Sequence, residues 1–493
     1  MTIPRHIFKT YDIRGLVDTD ITPEFAYGLG RAFATFIRRE IGKETPVIAV
    51  GYDMRPSSIP YEAELVKGLV AAGAQVIRMG LLSTPGFYFG VSHVNADGGI
   101  QVSASHNPAA YNGFKLVRAR AVAISGETGI QAIADIMAND DFDVISLAPD
   151  RPHSVSDWPG IPAKQVAAEI AFAEITDLPQ FKIVADSANG MGAQYLDLAF
   201  SLPPLYKGGE RGVSTEANGG GIGGVGAEAT GQGGERGVGT DVTRLFWDFD
   251  GTFPNHEADP FKAENTEAIC HKVKELGADI GITTDGDGDR IFFVDDLGEV
   301  VDPAIVRGLV ARAMLRRFPG ATICYDIRPG KITEDMIREA GGIPQVTRVG
   351  HALIKEAMIK SGAVFAGESS GHFYMSMPAG VYEAPVATML VVLGEMAREG
   401  KKLSEIVAPL RRYSHSGEIN FKVEDKLGAV ARLKSHFADG EQSTLDGLLI
   451  TYPTFWFNVR TSNTEPVLRL NLEAIDEQTM QNKRDEAARI IAG

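Results

Sequence analysis

Residues 278–296 read ADIGITTDGDGDRIFFVDD, and this segment decides how the chain is to be read. IGITT (280–284) and IFFV (291–294) have the β-branched and aromatic content of strands. Between them, DGDGDR (285–290) sets Asp285, Asp287 and Asp289 at alternate positions, with glycines that let the loop bend. Three carboxylates so close repel one another unless something positive sits between them, which argues against a plain solvated turn. An EF-hand fails, because the sixth loop position is Arg290 where glycine is needed and the twelfth is Asp296 rather than glutamate. A magnesium site with positions left for a phosphate oxygen fits the three aspartates better.

Outward from this loop the same texture repeats. PVIAVGYD (46–53) reads as a buried strand, followed by a helical stretch with Leu65, Val66, Leu69 and Val70 on one face. GGIQVSA (98–104) and FKIVADSANGMG (181–192) are again strand then turn, and ATICYDIRPGK (321–331) is another. Asp302 and Pro303 suit the N-cap and first position of a helix, with Ile305, Val306, Leu309, Val310 and Met314 as its apolar stripe. The alternation predicts sheets covered by helices, with functional loops at strand ends. After about residue 412, GEINFKV, GLLITYP, TFWFNVR and VLRLNLEA are closely spaced strand patterns, which predict a small, largely antiparallel α+β unit. Residues 207–239 break the texture. They are rich in glycine with Glu, Ala and Thr, carry GGERGV twice (208–213 and 233–238), and predict a disordered surface insertion.

At 493 residues the chain exceeds a single core. Its 44% hydrophobic and 23% charged residues suit a globular protein, and no apolar run approaches 18 residues. The first residues, MTIPRHIFKTYDIRG, lack the apolar stretch of a secretory signal, so a cytoplasmic location is expected. Cys270 and Cys324 show no metal or redox spacing. A net charge of −16 argues against nucleic acid or an anionic membrane as partner, but a few arginines in a cleft still suit an anionic small molecule.

Four further loops are rich in polar side chains. QVSASHNPAAYNGFK (101–115) holds Ser105 and His106 side by side. A hydrolase pair needs the two side chains facing each other, which adjacent residues rarely achieve, and no G-x-S-x-G elbow surrounds Ser105. RTSNTEPVLR (460–469) gathers Arg460, Ser462, Asn463 and Thr464, donors that suit a phosphate dianion. GESSGH (367–372) offers Glu368, Ser370 and His372 to sugar hydroxyls. YDIRG (11–15) adds Tyr11 and Arg14.

In this order and spacing, SASHNP, DGDGDR, GESSGH and RTSNTEP resemble the four active-site loops of the α-D-phosphohexomutases, phosphomannomutase/phosphoglucomutase type. YDIRG, SANGMG, DGTFPNH (250–256) and VGHALIK (349–355) also match, so the resemblance runs the length of the chain. It implies three α/β domains with mixed sheets (1–155, 156–299, 300–411) and a C-terminal α+β domain (412–493) around a central active-site cleft. It implies that Ser105 carries a phosphoryl group, that Mg²⁺ is held by Ser105, Asp285, Asp287 and Asp289, and that Arg290 neutralises charge in transfer. Lys115 is implied as general base with His106 in support. Tyr11, Arg14, His351, Glu368, Ser370, His372, Arg460, Ser462, Asn463 and Thr464 are implied as substrate-binding. The implied reaction interconverts hexose 1-phosphate and hexose 6-phosphate through a hexose 1,6-bisphosphate, which also serves as activator, in a monomer or weak homodimer.

Departures from the family pattern are Ser103 in place of threonine, and MSMPAGVYEAPVA (375–387) in place of an aromatic–acidic segment. Gly288 stands where phosphoglucosamine mutases usually have alanine, which favours hexose phosphates. The alternatives are a phosphoglucosamine mutase, a phosphosugar phosphatase, which would not need Ser105, and an inactive phosphosugar-binding protein, which would have little reason to keep every loop.

Overall fold

The computed structural model describes residues 3–143, 155–175, 178–201, 241–328, 330–461 and 467–493. The glycine-rich stretch 207–239 and the residues Ser462, Asn463 and Thr464 lie outside them. Among the described residues, four sheets follow one another along the chain. The first has the strand order Ile13–Leu16, Tyr111–Arg118, Gly98–Val102, Val47–Tyr52, Gln75–Leu81, Val155–Asp157. Its Val47–Tyr52 strand pairs in parallel on both sides, while Gly98–Val102 meets Tyr111–Arg118 antiparallel. The second sheet runs Ile291–Val294, Ile280–Thr284, Lys182–Asp186, Asp241–Leu245, and only its first pair is antiparallel. The third, from Ile343–Thr347 to Gly380–Glu383, is also mixed. In the fourth, built from residues 414–474, every pair is antiparallel.

Strands Gly98–Val102 and Ile280–Thr284 are buried at every residue, as strands covered by helices on both faces must be. The expected helix after residue 53 spans Ser58–Ala71 with Leu65 and Leu69 fully buried. Helix Pro303–Arg317 begins as its sequence predicts, the Ala304 N–H donating to the Asp302 carboxylate at 2.7 Å. Its burial is wider than a stripe. Arg307, Gly308 and Ala311 are buried too, because helices Lys331–Glu339 and Pro385–Glu399 pack against it.

One apolar core runs through the first three sheets, joining Tyr88, Tyr195 and Phe365. A second belongs to the first sheet alone. The fourth sheet and its helices enclose a separate core of buried residues from Ala429 to Ile491, with Ile419 and Phe421 packed against it. Cys270 and Cys324 are free thiols. Among the described residues, no helix is long and apolar enough to cross a membrane.

Candidate active site

The polar loops sit where strands end, which frees their backbone and side chains from the sheet ladders. Ser105 follows strand Gly98–Val102 and adopts a left-handed φ of +50°. Its N–H donates to Ser103 Oγ at 3.0 Å, and its own Oγ donates to Asp285 Oδ2 at 3.0 Å. Ser105 Oγ also lies 3.2 Å from His106 Nδ1. The two neighbours do face each other, contrary to the expectation from adjacency. The left-handed turn breaks the alternation of sides that an extended chain would impose.

Asp285, Asp287 and Asp289 are buried, and one oxygen of each lies within 4.8 Å of the others. The close approach of this loop to Ser105 needs glycine: a Cβ on Gly286 would come within 2.6 Å of the Ser105 carbonyl oxygen. Lys115 Nζ reaches Asp287 at 2.8 Å and Asp289 at 2.5 Å, and Thr84 Oγ1 donates to Asp287 at 2.6 Å. Asp287 Oδ1 is buried with no hydrogen-bond partner among the described residues. An uncommitted buried oxygen inside a three-carboxylate cluster fits a hard divalent cation, which takes oxygen ligands.

The charges shape one another. Burial, then Asp289 and Asp287, hold the Asp285 carboxyl well above its usual range. Burial would do the same to Asp289, but Lys115 and His372 pull it well below. Burial alone would lower the Lys115 ammonium, yet Asp287 and Asp289 outweigh it and raise it well above its ordinary value. Burial, then Arg290 and Arg14, push the His106 imidazole well down, so it is neutral near pH 7.

Arg290 bonds the metal loop through its N–H, 3.1 Å from Asp285 Oδ1, and extends its guanidinium to Asp259 at 3.1 Å. The metal loop is zipped to the 367–372 loop: the Ile291 N–H donates to the Gly371 carbonyl at 3.0 Å, and His372 Nε2 lies 3.1 Å from Asp289. Ser370 Oγ is 2.9 Å from His372 Nδ1, and Glu368 accepts from the Gly350 N–H (2.9 Å) and the Tyr374 hydroxyl (2.6 Å). Tyr11 donates to the Val349 carbonyl at 2.7 Å and sets its ring edge-on to His351. Neither ring nitrogen of His351 has a hydrogen-bond partner among the described residues. Arg14 pairs with Asp12 at 2.6 Å and binds the Ala104 carbonyl and the Asn107 side chain of the serine loop. Arg460 is 5% exposed, with Glu418 3.5 Å away. Burial first and Arg328 second lower its guanidinium from the ordinary value, against the pull of Glu418 and Asp446.

Three residues here escaped the sequence reading. Asp259, in HEADP (256–260), orients Arg290. Arg328, at the end of ATICYDIR, bonds Asp326 at 2.7 Å and Ser370 at 3.3 Å. Thr84 caps Asp287 from 203 positions away. The signal for Arg328 was its place just after a strand; the other two carried none.

Comparison with known proteins agrees with this geometry. Models described as phosphoglucomutase/phosphomannomutase, alpha/beta/alpha domains I, II and III match residues 5–144, 220–298 and 302–413, and that of the C-terminal domain matches 418–490. A protein of Xanthomonas campestris pv. campestris named "Phosphohexose mutases" is 34% identical over 497 residues, covering 100% of both chains. The crystal structure of a phosphoglucomutase/phosphomannomutase family protein from Burkholderia thailandensis superposes with a TM-score of 0.80 at 29% identity, covering 99% of this chain and 98% of that one. An Aspergillus fumigatus N-acetylphosphoglucosamine mutase, solved with GlcNAc-6P and magnesium, shares the fold at a TM-score of 0.58 and 14% identity over 100% of this chain and 96% of its own.

Proposed function

The chain belongs to the phosphoglucomutase/phosphomannomutase family and is a phosphohexose mutase, an isomerase; we propose that Ser105 is its phosphoryl carrier. The observation that supports this role is the 3.0 Å contact between Ser105 Oγ and Asp285 inside the three-carboxylate cluster. A phosphoserine brings close to two negative charges, which a carboxylate cluster tolerates only with a cation present. Asp285, Asp287 and Asp289, with an oxygen on Ser105, would hold Mg²⁺. When bound it supplies positive charge against the phosphoryl oxygens.

Phosphoryl transfer asks mainly for positioning and charge stabilisation. Arg290, whose guanidinium Asp259 holds at 3.1 Å, is the proposed group that neutralises the charge developing as the phosphoryl group leaves Ser105. The attacking sugar hydroxyl must lose a proton. Lys115 is the proposed base, with His106 in support. Asp287 and Asp289 raise the Lys115 ammonium; a cation bound to those carboxylates would relieve that hold and favour the neutral amine a base needs. The substrate's own phosphate is assigned to Arg460, Ser462, Asn463 and Thr464. Its sugar is assigned to Glu368, Ser370, His372 and His351, with Tyr11 and Arg14 completing the cleft. Each of the four units, 1–155, 156–299, 300–411 and 412–493, then contributes one loop. The first transfer leaves a hexose 1,6-bisphosphate and a free serine hydroxyl. After the bisphosphate turns over, its other phosphate returns to Ser105. A hexose 1,6-bisphosphate is therefore the proposed activator.

Hexose phosphate is the proposed substrate class and the cytoplasm the proposed location. The test is the fate of radiolabelled glucose 1-phosphate and mannose 1-phosphate with Mg²⁺ present. Formation of the 6-phosphate supports this reading. Release of inorganic phosphate, or a faster reaction with glucosamine 1-phosphate, would overturn it.

A further inference from the structure

Arg55 is among the largest fully buried side chains, at 2% exposure, and the reaction as described above makes no use of it. Its guanidinium is surrounded by the backbone of the serine loop. Nη1 donates to the carbonyls of Pro108 and Tyr111, both at 3.0 Å. Nη2 donates to those of Ser105 at 2.8 Å and Asn107 at 2.6 Å. Nε lies 3.4 Å from Asp53, itself 1% exposed and held by Ser58 Oγ at 2.6 Å. Four of the five N–H groups of one planar cation thus gather four carbonyls from seven consecutive residues.

A second unit closes over this arrangement. The Phe253 ring lies 5.1 Å from the guanidinium carbon, and Gly251 packs so tightly that a Cβ there would come within 2.5 Å of Arg55 Cα. Both belong to DGTFPNH, a motif given no role above. On the other side, Gly286 of the metal loop approaches the same Ser105 carbonyl that Arg55 binds. The serine's left-handed conformation is unfavourable for a residue with a side chain, so something must hold it.

We infer that Arg55, covered by Phe253, is the positioning residue that holds the Ser105 loop in the conformation aiming Oγ at Asp285. It acts through the four backbone carbonyls and contacts neither the substrate nor the side chains assigned to the metal. The inference rests on the reading of Ser105 as phosphoryl carrier. It predicts that loosening the clamp impairs transfer while substrate affinity is largely kept, because Arg460 and the 367–372 loop make no contact with the clamped loop. A misplacement of about 1 Å at a reacting centre costs on the order of a hundredfold in rate. A lysine keeps the charge but has three donors on a single nitrogen and cannot span the four carbonyls.

The experiment compares wild type, Arg55→Lys and Phe253→Leu as full-length enzymes with Mg²⁺. The readouts are kcat and KM for glucose 1-phosphate, and Ser105 phosphorylation by intact mass after incubation with glucose 1,6-bisphosphate. Arg55→Lys should lose about a hundredfold in kcat with KM within threefold of wild type, and its phosphoserine should hydrolyse faster. Phe253→Leu should move kcat in the same direction by a smaller factor, and it decides the matter if the lysine variant does not fold. Wild-type kcat in both variants, or KM rising in step with the fall in kcat, overturns the inference. A wild-type enzyme that takes no phosphoryl group from the bisphosphate overturns instead the assignment of Ser105 on which it rests.

Discussion

Ser105 Oγ and Asp285 Oδ2 are 180 positions apart in the chain and 3.0 Å apart in space. The contact joins the end of one sheet to the end of the next, so the serine hydroxyl and the carboxylate cluster come from different sheets. Replacement of Ser105 tests the join most directly. Ser105→Ala should lower kcat by several orders of magnitude while stability stays close to wild type, because the lost group acts in transfer. By intact mass, wild type should gain about one phosphoryl group from glucose 1,6-bisphosphate, and the alanine variant none. Equal gain in both proteins would refute the carrier role.

Asp287→Asn keeps the side-chain shape and removes one charge from the cluster. Mg²⁺ affinity by titration calorimetry should fall at least tenfold, and turnover at limiting Mg²⁺ should fall by about a hundredfold or more. Unchanged Mg²⁺ affinity would move the metal elsewhere.

Asp259→Asn leaves Arg290 in place but takes away its charged partner at 3.1 Å. A loss of about 1–3 kcal/mol of transition-state stabilisation is expected, read as a fall of about 5- to 150-fold in kcat/KM at unchanged Mg²⁺ affinity. Wild-type kinetics would show that Arg290 needs no such support.

Glu473 gives the pH dependence a definite sign. One of its oxygens accepts from the Gly330 and Lys331 N–H groups and the Trp456 indole, at 3.0, 2.9 and 2.9 Å. Burial still pushes its carboxyl from 4.5 up to about 7. Between these values the folded protein keeps a proton that the unfolded chain releases. Stability contributed by this group is therefore present below pH 4.5 and declines as pH rises to 7, by about 3 kcal/mol in all. Glu473→Gln should flatten that decline. Urea unfolding followed by tryptophan fluorescence at pH 5.5 and pH 8 measures it, and identical slopes in both proteins would reject the assignment.

Much of this was legible in the chain because its chemistry is local. The aspartates of DGDGDR, the strand before them and the Asp302–Pro303 helix start each follow from a few adjacent residues. Pairings across long separations were not legible: Thr84 to Asp287, Arg290 to Asp259, Arg55 to a loop fifty residues on. That Ser105 and His106 face each other is also not legible, because adjacency says nothing of a left-handed φ at Ser105. Lys115 was read as a base from its motif. Its paired, protonated state depends on carboxylates that another unit brings to it.

The apolar cores divide the molecule unequally. Three walls of the cleft share one continuous interior, so none of them melts without exposing the others, and denaturant should remove them together. The fourth wall carries its own interior and meets the rest through polar contacts such as Glu473 on Gly330 and Asp446 on the Val349 N–H. A protease that cuts near residue 412 would therefore leave a folded remnant, 1–411, that keeps its carboxylate cluster and lacks Arg460. Such a remnant should still bind magnesium while its grip on hexose phosphate is lost, which makes limited digestion a way to separate the two affinities physically.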